Sequence, residues 1–247
     1  MKDCTIIIPA RYASTRFPGK PLVDIKGKTM IQRVYEQASQ SKLARQVIVA
    51  TDDERIFKHI QAFGGEVMMT SASHQTGTER CAEIAAKIEA DLIINVQGDE
   101  PFIAPEQIDL LIDFLVKKPQ FAIGTLAKRL ESFEALCNSN TVKAVFNQLE
   151  EAIYFSRHPI PFARDTAPEK WLDKHQYYKH IGMYAYRRDT LLHIAQLTPT
   201  PLEKAESLEQ LRWMENGIRI GITVSNLEAI SIDTPEDLQR VLLNNKH

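Results

Sequence analysis

Four times between residues 5 and 116 a short apolar run gives way to a polar loop and then to an amphipathic helix pattern. The runs are Thr5–Ile8, Gln46–Ala50, Glu66–Met69 and Leu92–Val96, all too short for a buried helix. Thr5–Ile8 and Gln46–Ala50 read as strands covered on both faces, and Glu66–Met69 and Leu92–Val96 as a third and a fourth strand. The helix signals follow each run. Ile31, Val34, Tyr35 and Ala38 fall at i, i+3, i+4 and i+7, and Thr51-Asp52-Asp53 can cap a helix that ends at Phe63 before Gly64-Gly65. A third helix is expected over about Glu79–Glu89, and Pro105 opens a fourth that runs to Val116. This alternation predicts an α/β chain built on a doubly wound, mostly parallel sheet, in which ligands bind beyond the carboxyl ends of the strands.

The pattern changes after Ala122. Lys143–Phe146, Ala152–Phe155 and Tyr177–Tyr186 read as strands without regular helices between them, and Arg157–Lys174, with its prolines and mixed charge, reads as a long loop. We expect one domain over 1–247, with a β-rich insertion over about 140–190 at the sheet's edge that shapes a second substrate site or an oligomer contact. Leu202–Met214 returns to helix, and Arg219–Val224 and Ala229–Ile232 to strand. Thr234-Pro235 caps a last helix with Asp237 in its first turn.

The strand ends carry the chemistry. Ile6–Leu22 reads IIIPARYASTRFPGKPL, placing Arg11, Arg16 and Lys20 among Ser14, Thr15 and Gly19 directly after the first strand. Backbone amides, hydroxyls and fixed positive charge in one loop suit a polyphosphate, and Pro9 and Pro21 stiffen it. The net charge of the whole chain is only −2, so bulk attraction to nucleic acid or to an anionic membrane is not indicated and a cationic site must be local. The loop is not a Walker A motif, because Ser14 stands where the first glycine belongs and Pro21 follows Lys20. G-x-G-x-x-G, G-x-S-x-G and H-E-x-x-H are all missing, which argues against a dinucleotide fingerprint, a hydrolase elbow and a zincin. Two other strands end in carboxylates, Asp99 after LIINVQG and Asp233 after AISI. Each either caps the next helix or helps to hold Mg²⁺, which takes one or two carboxylates beside phosphate oxygens. Cys4, Cys81 and Cys137 form no C-x-x-C pair, no apolar run approaches the length of a bilayer span, and the stretch before Pro9 is short for a secretory signal; a cytoplasmic location without membrane insertion is expected.

The motifs IIIPARYASTRFPGKPL, HQTGTER (74–80), NVQGDEP (95–101), YFSR (154–157), KHIGMYAYR (179–187), LEQLR (208–212) and IDTPEDL (232–238) together resemble the 3-deoxy-manno-octulosonate cytidylyltransferases, the CMP-Kdo synthetases of lipopolysaccharide synthesis. The resemblance runs over the whole chain with the motifs in order. It implies a Rossmann-like nucleotidyltransferase fold and a Mg²⁺-dependent transfer of CMP from CTP to the anomeric hydroxyl of 3-deoxy-D-manno-octulosonate (Kdo), with release of pyrophosphate. It further implies a homodimer, with CTP and Kdo as partners and no nucleic acid.

Carried over residue by residue, it assigns catalysis to Lys20, Arg16, Asp99 and Asp233, the last two holding the metal. CTP would be bound by Ala10, Arg11, Ser14, Thr15, Arg16, Lys20, Gln75, Gly77, Thr78 and Arg80. The acidic sugar would be bound by Gln97, Arg157, Arg164, His180, Tyr184, Glu209 and Gln210. Read without the family, His180 is equally a sheet histidine, Tyr184 a core residue, and Glu209 and Gln210 a helix face. His59, His74, His158 and His193 read as surface or structural. Neighbouring activities at this level are a cytidylyltransferase for 8-amino-Kdo or sialate, a metal-dependent glycosyltransferase, and a nucleotide-binding protein without catalysis.

Overall fold

The first strand lies in the middle of the sheet, because its residues are apolar on both faces. In the computed structural model, which describes residues 3–13, 17–228 and 231–243, β1 (Cys4–Ala10) leads through a 3-10 turn at Lys20–Leu22 and a small hairpin, β2 (Asp24–Ile25) and β3 (Lys28–Thr29), into α1 (Met30–Ala38). Then come β4 (Gln46–Thr51), α2 (Glu54–Ala62), β5 (Val67–Met69), α3 (Gly77–Lys87), β6 (Leu92–Asn95) and α4 (Pro105–Lys117). The second half supplies β7 (Ile123–Arg129), α5 (Phe133–Cys137), β8 (Lys143–Phe146), β9 (Ala152–Ser156), α6 (Trp171–Lys174), β10 (Tyr178–Arg187) and α7 (Arg188–Ile194). It closes with α8 (Pro201–Glu206), α9 (Glu209–Glu215), β11 (Ile220–Val224) and α10 (Pro235–Leu243).

The sheet order is β11-β7-β10-β6-β1-β4-β5. Pairs β1–β4, β4–β5, β1–β6 and β7–β11 are parallel, and β10 runs antiparallel to both β6 and β7. Ile6 and Ile8 of β1 join one core with Ile31, Val34, Ile56, Ile60, Ile108 and Leu111 from α1, α2 and α4. Ile7 joins the opposite core with Cys81, Ile84, Leu191, Leu211 and Trp213 from α3, α7 and α9. Helices therefore cover both faces, as the sequence predicts. Each fully buried isoleucine contributes about 1.5–3 kcal/mol relative to exposure, which fixes the register of β1 strongly.

The order also contains a reversal. The chain steps outward from β1 through β4 to β5, and α3 then carries it back so that β6 lands on the other side of β1. The crevice beyond the carboxyl ends of β1 and β6 is the topological switch point, where open α/β sheets bind ligands.

Four features differ from the sequence reading. Ile123–Arg129 is a strand, and Phe133–Cys137 and Arg188–Ile194 are helices, none of which the pattern marks. The β-rich region is not confined to an edge: β10 sits between β6 and β7, and only the β8–β9 hairpin branches from it. The reason is burial, since Ile181, Met183 and Ala185 of β10 enter one core and Tyr184 and Tyr186 the other. The helix expected over 202–214 is two helices, broken at Ser207, whose φ of 52° no α-helix accommodates. Of the strand expected over 229–232, residues 229 and 230 lie outside the described residues, and Ser231 and Ile232 are not in a strand.

Candidate functional site

Lys20 owes its position to the turn before it. Gly19 adopts φ 73°, a left-handed conformation that favours glycine, and its N–H donates to the Tyr12 carbonyl at 3.0 Å. Pro21 then sits in the first turn of the short 3-10 segment. The outcome is a largely buried ammonium that donates to Asp99 Oδ2 at 2.7 Å and to Asp233 Oδ1 at 3.4 Å. The two carboxylates arrive by different routes. Asp99 follows β6 through Gly98, whose missing side chain lets the loop approach the Pro9 carbonyl; a Cβ there would lie 2.9 Å from that oxygen. Asp233 is brought across 134 residues, because the Ile232 N–H donates to the Asp99 carbonyl at 2.9 Å. Ile232 is buried with Ile25, Met30 and Val241, so α10 packs on the β2–β3 hairpin. A reciprocal cap holds the entry: the Asp237 carboxylate accepts from the N–H groups of Asp233 and Thr234 at 3.1 and 3.0 Å, and Thr234 Oγ1 accepts from the Asp237 N–H at 3.2 Å.

Two clefts meet at this pair. The first, of about 190 Å³, is walled by Pro9, Ala10, Arg11, Lys20, His74, Thr76, Gly77, Arg80, Gln97, Gly98, Asp99 and Asp233, with Pro21 at its side. The amino end of α3 opens here, capped by Thr76 Oγ1, which accepts from the Glu79 N–H at 3.1 Å. The second cleft, of about 350 Å³, is walled by Gln97, Asp99, Glu100, Asn140, Thr141, Val142, Lys179, His180, Ile181, Gly182, Ser231 and Asp233. Gln97, Asp99 and Asp233 belong to both. One ligand from each side would therefore touch at the carboxylates.

Three carboxyl groups, Asp99, Glu100 and Asp233, gather here beside Lys20. Glu100 is buried, its Oε2 has no hydrogen-bond partner among the described residues, and its carboxyl is pushed up to about 8. Burial is the main cause, the charges of Asp99 and Asp233 add to it, and Lys179 offsets it in part. In the second cleft His180 Nε2 lies 2.9 Å from Thr125 Oγ1, and burial lowers its imidazole to about 3, so the ring is neutral.

Of the residues expected around CTP, Ala10, Arg11, Lys20, Gly77 and Arg80 line the first cleft. Gln75 stands just behind, its carbonyl accepting from Arg11 at 3.4 Å, and Thr78 is turned to Glu209, donating to Oε2 at 2.8 Å. Arg80 is buried and already paired with Asp52 at 2.9 Å and with Thr70, so its first task is to fix the loop. Ser14, Thr15 and Arg16 lie outside the described residues.

Of the residues expected around the sugar, Gln97 and His180 line the second cleft. Arg157 spends its guanidinium on the carbonyls of Glu206, Ser139 and Ser207 at 2.7, 3.1 and 3.3 Å. Arg164 is 89% exposed beside Asp165. Tyr184 is buried against Trp213, and burial raises its phenol well above the usual range. Burial likewise raises the Glu209 carboxyl, and Gln210 is buried. None of these five lines either cleft.

The sequence reading passed over His74, which walls the first cleft with Nε2 2.6 Å from Glu83 Oε2, although it opens the HQTGTER motif. It also passed over Glu100, which follows Asp99 in NVQGDEP. Asn140, Thr141 and Lys179 carried no signal, because only the sheet topology brings them to the cleft.

Comparison with known proteins places this geometry. A family model described as Cytidylyltransferase matches residues 5–220. A 3-deoxy-manno-octulosonate cytidylyltransferase from Geobacter metallireducens is 52% identical over 247 residues, covering 96% of each chain. Another from Cytophaga hutchinsonii is 55% identical over 238 residues, covering 95% of this chain and 94% of the relative. A solved structure of CMP:2-keto-3-deoxy-manno-octonic acid synthetase complexed with CTP superposes with a TM-score of 0.91 at 45% identity, covering 97% of both chains. A 4-diphosphocytidyl-2C-methyl-D-erythritol synthase from Anaerococcus prevotii, at 15% identity and a TM-score of 0.63, shares the fold alone. An α/β sheet with its switch-point cleft, matched to these relatives across nearly its whole length, leaves one assignment: the chain belongs to the 3-deoxy-manno-octulosonate cytidylyltransferase family.

Proposed function

We propose that this chain transfers CMP from CTP to Kdo and releases pyrophosphate. The observation that carries the reading is the meeting of two clefts over one carboxylate pair. The triphosphate occupies the first cleft, where Lys20, Arg11 and the amino end of α3 offer positive charge. The acidic sugar occupies the second, against Gln97, the neutral His180 and Lys179. Its anomeric oxygen attacks the α-phosphorus, the bond from that phosphorus to the bridging oxygen breaks, and the electron pair leaves with pyrophosphate. The hydroxyl proton passes to solvent. No covalent enzyme intermediate is needed, and catalysis consists of holding the two reactants in line and stabilising charge. Lys20 neutralises charge on the departing pyrophosphate.

Asp99 and Asp233 fit Mg²⁺, because both already converge on one cation, the Lys20 ammonium. Among the described residues no three His, Cys, Asp or Glu side chains form an all-protein metal cage, which suits an ion that completes its shell with phosphate and water. When bound, Mg²⁺ supplies charge neutralisation at the α-phosphate and lowers the pKa of the attacking hydroxyl.

We further place the enzyme in the cytoplasm. Among the described residues no helix is long and apolar enough to cross a membrane. We read it as a homodimer joined through the 140–190 face, where Leu149, Ile153 and Phe162 are exposed; light scattering of the eluting peak tests that. The activity is tested by pyrophosphate release from CTP with Kdo, 8-amino-Kdo or sialate, with and without Mg²⁺, and by mass of the product. CMP-Kdo as the main product, only with Mg²⁺, is expected. Absence of turnover with Kdo, or faster turnover with sialate, overturns the reading.

A further inference from the structure

Lys143 is fully buried, and among the described residues its ammonium meets main-chain carbonyls rather than a carboxylate. Its ammonium donates to the carbonyls of Asn138 at 3.1 Å, Thr141 at 2.6 Å and Arg157. An ammonium has three donors and no acceptor, so this arrangement saturates it. Burying such a group is costly, and an unbranched apolar side chain of similar length would pack without that penalty. What only the lysine does here is draw three main-chain carbonyls to one point.

Two of those carbonyls, from Asn138 and Thr141, belong to the turn that walls the second cleft, and the third, from Arg157, ties that turn to the end of β9. Asn138 and Thr141 precede Lys143 by five and two residues, so the turn wraps back over its own side chain. Asn140, Thr141 and Val142 line the cleft. Arg157 clamps the same turn at the Ser139 carbonyl at 3.1 Å, and the His180 N–H donates to the Val142 carbonyl at 2.8 Å. The outer side is latched by Asn138 Oδ1, which accepts from the Asn140 N–H at 2.8 Å. The turn thus lies between a buried cation, a guanidinium and β10, and its path is fixed before any ligand arrives. Burial lowers the pKa of Lys143, the nearby Arg157 charge adds to it, and the charges of Cys137 and Glu206 offset it in part.

We propose that Lys143 is a positioning residue for the acceptor sugar, its ammonium setting the Asn140–Val142 wall of the second cleft. This rests on the reading of that cleft as the Kdo side. A lysine there touches no substrate, and its effect is confined to one of the two reactants.

The test compares Lys143→Met with wild type in two ways. Steady-state kinetics separate the KM for Kdo from the KM for CTP, and hydrogen exchange follows the amides of residues 138–142. Lys143→Met is expected to raise the KM for Kdo about tenfold or more, to leave the KM for CTP within about twofold, and to lose protection in that segment. If Lys143→Met does not fold, Asn138→Ala decides, since Asn138 is exposed and its loss unlatches the same turn from outside. About a threefold rise confined to the KM for Kdo is then expected. A folded variant with both KM values unchanged, or both raised together, overturns the proposal. Exchange in residues 138–142 unaltered by Lys143→Met does so as well, and that result is independent of any activity. Wild-type protein that makes no CMP-Kdo would count against the proposed function instead, while the exchange experiment would still decide whether Lys143 holds the turn.

Discussion

The loop after β6 packs tightly on the end of β1 where Gly98 meets Pro9, and Gly98→Ala probes that contact directly. The added Cβ would stand 2.9 Å from the Pro9 carbonyl oxygen and 3.6 Å from Ile31 Cδ1. An ordinary carbon–oxygen contact is about 3.3–3.6 Å, so the two loops must part by roughly half an ångström. Both partners at the close contact are backbone, and no rotamer change relieves it. Overpacking of this kind costs about 1–3 kcal/mol, which for a chain of this size lowers Tm by roughly 2–12 °C.

The functional effect follows from the next residue. Asp99 holds Lys20 at 2.7 Å. If a misplacement of about 1 Å costs about 10²-fold in rate, half of that costs about tenfold in kcat. Calorimetry and initial rates of pyrophosphate release at saturating CTP and Kdo measure both quantities. Gly182→Ala is the stability control, since a Cβ there meets nothing within 4 Å. Wild-type Tm and kcat in Gly98→Ala, or an equal loss of Tm in Gly182→Ala, would refute the reasoning.

Asp99→Asn and Asp233→Asn should each lower kcat by about 10²–10³ with Mg²⁺ present, as expected for groups acting on developing charge; wild-type turnover in either removes that residue from the reaction. Lys20→Met removes the ammonium on which the two carboxylates converge. Turnover should fall about 10²-fold, and Tm should gain more from added Mg²⁺ than in wild type; an equal gain speaks against the shared site. His180 has an imidazole lowered to about 3 in the folded chain, against about 6.5 unfolded. The unfolded chain therefore binds a proton that the folded one refuses, so this contribution to stability is full above pH 6.5 and is lost as pH falls toward 3. His180→Gln should flatten the stability slope there by at most about 1.4 kcal/mol per pH unit, measured by urea unfolding; an unchanged slope contradicts its burial as a neutral ring. Arg212→Leu takes from Glu203 its bidentate partner at 2.6 and 2.7 Å and leaves this largely buried carboxylate only the Thr200 N–H at 3.3 Å. We expect a loss of about 3–5 kcal/mol in denaturant unfolding, and a much smaller loss would mean that solvent reaches the pair.

The first half of the chain was legible because β1, β4 and β6 are apolar on both faces and its helices begin at a cap or a proline near their observed starts. Thr29 caps α1, Asp53 caps α2 and Pro105 opens α4. Lys20 and Asp99 were legible for the same local reason, each standing just past a strand. Asp233 was singled out as a strand-end carboxylate, although Ser231 and Ile232 before it are not in a strand, and its arrival depends on α10 packing against two-residue strands that leave no periodic trace. β7 was missed because IGTLAKR carries glycine and two cations, and its place is set by β10 and β11 on either side. The wall of the second cleft was missed because it is made by antiparallel pairing between distant segments. The basic residue that most resembled a sugar ligand, Arg157, proves to be engaged with main-chain carbonyls.

That last point has a wider form. The cations that a sequence presents as ready for an anion are mostly spoken for in the folded chain: Arg80 by Asp52, Arg212 by Glu203, Lys143 and Arg157 by carbonyls. Lys20 differs in kind, because its partners are the two carboxylates shared by both clefts. On the proposed reading, a triphosphate would draw the ammonium away from those carboxylates, and a divalent cation there would leave the ammonium to the phosphates. Each ligand would then favour the other, a positive coupling by linkage. A chain with net charge −2 would in that way hold a polyanion without a broad basic surface.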